Sequence, residues 1–150
     1  MIALVTAGGG FLLSVLWFDL MFDVQVLGRR TAPVPESALA SISAYYRRVT
    51  TGARPMNRLV GLVMLGTIAA TIAEIVSGET SKPVAWASLV LIVLPVSIAA
   101  LHTFPSAARL GARRDALEVQ SRLARSICRD HLLCLTAIGL LLAIQLGSAA

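Results

Sequence analysis

Charge is what this chain has least of. Lys, Arg, Asp and Glu make up 14% of its 150 residues, where a soluble domain carries about a quarter. With 57% apolar residues and a mean hydropathy of +0.80, an ordinary water-soluble domain is excluded and lipid is the expected solvent. Cysteine is limited to Cys128 and Cys134. Six apart on one predicted helix, they are separated by a rise of ~9 Å and cannot pair with each other, so both are read as free thiols. No Lys or Arg precedes Arg29. The basic start of a secretory signal is therefore missing, and the apolar run that follows continues for over twenty residues, as a transmembrane helix does. Also lacking are a Gly-rich phosphate loop and an oxyanion-binding turn, which leaves nucleophilic or hydrolytic chemistry without support and the question of an enzyme open.

The net charge of +5 and a pI near 10.2 do not point to nucleic acid, because the basic residues fall in two blocks between apolar spans. Arg29, Arg30, Arg47, Arg48, Arg54 and Arg58 form the first block, and Arg109, Arg113, Arg114, Arg122, Arg125 and Arg129 the second; Lys82 stands alone. By the positive-inside rule both blocks are cytoplasmic, which predicts an N-out, C-out arrangement.

The fold class this implies is an all-α membrane protein, a four-transmembrane-helix bundle forming one integral membrane domain over residues 1–150. Its helices are expected at about 2–27, 57–77, 84–104 and 126–147, each long enough to cross ~30 Å of hydrocarbon. Gly8, Gly9 and Gly10 mark a close-packing face in the first span. Pro33 and Pro35 stop that span. Leu39, Ile42, Tyr46 and Val49 then recur at helical spacing, predicting a short amphipathic helix in the headgroup layer, with an ordinary solvated connector as the plain alternative. In the second span Thr67, Ala70, Thr71 and Glu74 share a stripe that should face other helices. The connection Gly78 to Pro83 is short enough for a tight hairpin. Pro95 predicts a kink in the third span, and a loop is expected from Pro105, with the fourth helix starting before the bilayer and entering it as one piece.

Polar residues within or beside these spans are the site candidates. Asp19 and Asp23 lie four apart, hence on one helix face. With His102, Asp130 and His131 they fall in one layer near the cytoplasmic end, and Cys128, His131 and Cys134 adjoin on the fourth helix. Glu74 is near the far interface, where a snorkelling end residue is the plain reading. Three chemistries fit the layer. His102 and His131 on neighbouring helices can hold a haem, with Arg109, Arg125 or Arg129 near its propionates. A transition metal can take the histidines with Asp19 or Asp23, although the Glu-x-x-His pairs of di-iron bundles are absent. A proton or ion path can use Asp19, Asp23 and His131. The plain alternative is a set of hydrated interface residues, with Asp19 paired to an arginine. Expected partners are membrane lipids, other membrane proteins or a second copy of the chain, in a multi-pass protein of a bacterial-type inner membrane.

Overall fold

Near-continuous runs of Leu, Ile, Val and Ala with few charges favour helices whose backbone groups are satisfied internally, as lipid requires. The computed structural model describes residues 1–28 and 33–149; Arg29 and Arg30 of the first basic block lie outside the described residues. Among these, the elements are α1 (Ile2–Asp23), a 3-10 turn (Val24–Val26), α2 (Glu36–Arg47), a π-helical turn (Arg48–Gly52), α3 (Arg54–Ser77), α4 (Lys82–Ile98), a second π-helical turn (Ala99–Thr103), α5 (Phe104–Ala112) and α6 (Leu117–Ala149).

Four stretches are long and apolar enough to cross a membrane: Ile2–Val26, Pro55–Ser77, Lys82–Ala112 and Leu117–Ser148. About 20 residues suffice for a crossing. The third and fourth stretches, at 31 and 32 residues, exceed that by roughly 17 Å of helix each at about 1.5 Å per residue. The helices close into a ring in which α1 packs on α3 and α6, and α4 on the same two. One end of the ring holds the short α3–α4 turn, fastened by the terminal amine of Met1 on Glu79; we call it the hairpin end. The other holds the arginine-rich connections and is called the basic end.

The extra length of the third and fourth stretches builds a second core at the basic end. Leu39, Ile42 and Tyr46 of α2 are buried there with Leu110 of α5 and Ile127 of α6. The stripe expected to dip into headgroups therefore packs on protein. Gly111 makes this approach possible: a Cβ at that position would lie 2.8 Å from the Arg47 amide nitrogen and 3.0 Å from its Cα.

The loop expected from Pro105 is not found. The chain stays helical to Ala112, because proline is tolerated in a first helical turn and the preceding π-helical turn has already shifted the hydrogen-bond ladder. The helix stops instead at Arg113, whose left-handed backbone (φ 50°) places its amide on the Leu110 carbonyl. Pro95 sits inside α4 and is buried, and α6 runs unbroken through its 33 residues. Mid-bundle the core is apolar, with Leu12, Ile92, Ile138 and Leu141 at its centre. The small faces of α1 and α3 meet where Gly8 faces Thr67, while Gly9 abuts Leu142 and Gly10 borders open space.

Candidate functional site

The i, i+4 spacing on α1 places Asp19 and Asp23 one above the other, and α6 brings His131 to both. The ring contacts the Asp23 Oδ2 through Nδ1 at 2.6 Å, and its Nε2 lies 3.8 Å from Asp19 Oδ2. Asp23 is fully buried and His131 nearly so. An ionised carboxylate can only accept, so Nδ1 carries a hydrogen and donates it to Asp23. The longer one is within ion-pair range yet too long for a direct hydrogen bond. No arginine pairs with Asp19 among the described residues.

Two adjacent tyrosines of α2 complete the cluster. Tyr45 donates to Asp19 Oδ1 at 2.6 Å and Tyr46 to Asp23 Oδ1 at 2.7 Å. Both oxygens of Asp23 are thereby engaged, while among the described residues Asp19 Oδ2 has only the distant imidazole. Burial pushes both phenols above their ordinary range, and the carboxylate facing each pushes them further, so both remain protonated donors. Tyr45 also stacks on Phe22, with ring centroids 4.1 Å apart. Sequence spacing put Tyr46 on the buried stripe of α2; that this stripe ends on the carboxylates of α1 is decided by how α2 folds back.

His102 and Asp130 form a separate pair. The His102 Nδ1 contacts Asp130 Oδ2, which also accepts from the Thr103 hydroxyl at 3.2 Å. The His102 side chain is 50% exposed. The two histidines thus face different carboxylates. Cys128 is buried in the basic-end core, and the Cys134 thiol faces the Pro95 carbonyl at 3.8 Å. Among the described residues, no group of three or more His, Cys, Asp or Glu side chains is arranged to hold a metal ion.

Glu74 lies at the hairpin end, fully buried, so it does not snorkel. It accepts from the Thr80 hydroxyl at 2.7 Å and faces the Gln145 amide at 3.1 Å. Gln145 was not among the residues the sequence singled out, although an amide within the apolar run Leu140–Leu146 was the available signal.

A small cavity of about 50 Å³ opens onto the first cluster, lined by Asp19 and His131 together with Leu16, Thr103, Cys134 and Ile138. At about 10–15 Å³ of such volume per water molecule, it has room for a few. A buried imidazole between two carboxylates, one of which lines such a cavity, is equipped to hold and exchange a proton. Comparison with protein-family models, curated proteins and solved structures gives no match. The geometry alone carries the functional reading.

Proposed function

We propose that this chain is the membrane-embedded component of a larger assembly in a bacterial-type inner membrane, and that its Asp19–His131–Asp23 cluster takes up and releases a proton near the cytoplasmic face. The orientation rests on the two arginine-rich connections, which favour the cytoplasm, with both termini outside. The observation that carries the reading is the unequal placing of His131, at 2.6 Å from Asp23 and 3.8 Å from Asp19. One imidazolium neutralises one of two carboxylates. The remaining charge is removed when Asp19 Oδ2 accepts a proton through the cavity, which takes the cluster from a net charge of −1 to zero. The apolar centre at Leu12, Ile92, Ile138 and Leu141 favours local proton binding over conduction along the bundle axis.

Potentiometric titration of the purified protein in detergent tests this. Asp19→Asn and His131→Gln should each bind fewer protons than the wild type while keeping the helical circular dichroism signal. Equal proton counts in all three would overturn the reading. An absorption spectrum tests the haem alternative: a Soret band lost in His102→Ala and His131→Ala would replace the proton with a haem, and a metal found in stoichiometric amount by elemental analysis would do the same for a transition metal.

A further inference from the structure

We infer that Glu74, Ser88 and Gln145, closed over by Thr80, form a binding site for a small monovalent cation, with sodium as the fitting size. The site lies at the opposite end of the bundle from Asp19, so it stands or falls independently of the proton reading.

The donors converge from three spans and a turn. Glu74 comes from α3, Ser88 from α4, Gln145 from α6 and Thr80 from the hairpin. The first three are fully buried. Among the described residues, no Lys, Arg or His lies within ion-pairing distance of Glu74; its partners are the Thr80 hydroxyl and the Gln145 amide. A buried carboxylate held only by neutral groups is costly unless something positive joins it. The Gln145 amide supplies a second, separate sign of a missing partner, because its Oε1 is buried and accepts no hydrogen bond.

Size and charge follow from the same atoms. The nitrogen end of the amide lies 3.0 Å from Ser88 Oγ and 3.1 and 3.4 Å from the two Glu74 oxygens. The two ends of an amide are isosteric and exchange by a half-turn. With Oε1 turned to that position, it would stand 3.0 Å from Ser88 Oγ and 3.1 and 3.4 Å from the two Glu74 oxygens. Oxygens around a hard cation at about 2.4 Å lie roughly 3.4 Å apart along a polyhedron edge, and a larger ion would need them further apart. One carboxylate balances one positive charge, which favours a monovalent ion over a divalent one in this buried place.

Thermal unfolding of the full chain in detergent micelles provides the test, followed by labelling of the buried thiols Cys128 and Cys134 as they become exposed. Sodium chloride should raise the midpoint saturably relative to choline chloride at the same ionic strength, and potassium chloride should raise it less. Glu74→Gln should abolish the sodium effect. Should that variant not fold, Ser88→Ala should shift the half-saturating sodium concentration upward several-fold. Identical midpoints in sodium and choline would overturn the site, as would a sodium response preserved in Glu74→Gln, an equal response to potassium, or a half-saturation unchanged in Ser88→Ala.

Discussion

The Tyr46 hydroxyl donates to the Asp23 carboxylate at 2.7 Å, and this one bond fastens a helix outside the four spans to an acid inside the first. A hydrogen bond to a buried charged group contributes about 1.5–3 kcal/mol. Tyr46→Phe should lower the unfolding midpoint by several degrees. Tyr45→Phe should lower it less, because Asp19 is partly exposed and water can replace the phenol. Thermal unfolding of both variants checks the order, and an equal or reversed loss would contradict it.

Alkaline stability should depend on the same tyrosines. Burial raises both phenols above their ordinary value. Above about pH 10 the unfolded chain releases tyrosine protons while the folded chain keeps them. Unfolding then liberates protons, so stability is full below that pH and falls as pH rises beyond it. A series of denaturation midpoints between neutral and strongly alkaline pH should show the decline, and Tyr46→Phe should flatten it.

Glycine substitutions should separate contacts from mere helix composition. Gly111→Ala forces a methyl into the α2 backbone, where no side chain can swing away, and overpacking of this kind costs about 1–3 kcal/mol. Gly8→Ala meets the Thr67 side chain, so Thr67→Ala should restore part of its loss in a double-mutant cycle. Gly10→Ala has open space around it and should be neutral or stabilise by up to about 1 kcal/mol through helix propensity. Midpoints for the four single variants and the Gly8→Ala/Thr67→Ala double variant decide the matter.

Asp19 and Asp23 should respond differently to the same change. Asp23→Asn breaks a fully buried pair, a loss of about 3–5 kcal/mol, and should reduce folded yield. Asp19→Asn keeps shape and hydrogen-bonding capacity and should leave the bundle folded with its proton uptake lost. His131→Gln should reproduce that loss. The double mutant Asp19→Asn with His131→Gln should be no worse in proton uptake than the worse single variant; additive defects would mean two separate sites.

Much of the site could be read at the level of depth. The i, i+4 acids and His131 were placed in one layer because helical rise converts sequence distance into depth once the spans are known. Which side chains within that layer touch was not legible. His102 is in the same layer, yet from the π-helical turn after α4 it meets Asp130 of α6 and not the carboxylates of α1.

The sequence by itself determined four helical spans, the hairpin between the second and third, and the inward stripe at Thr67, Thr71 and Glu74, since apolar run length and helical period follow directly from residue order. Only the tertiary structure decided where the third helix ends, for Pro105 is compatible with either a stop or a first turn and the burial of Leu110 against α2 selects the latter. The same holds for the long-range polar partners. Tyr46 meets Asp23, and Gln145 meets Glu74 71 residues away, because a buried polar atom takes whichever partner the packing of apolar faces brings within 3 Å or so, and nothing local in the chain encodes that choice.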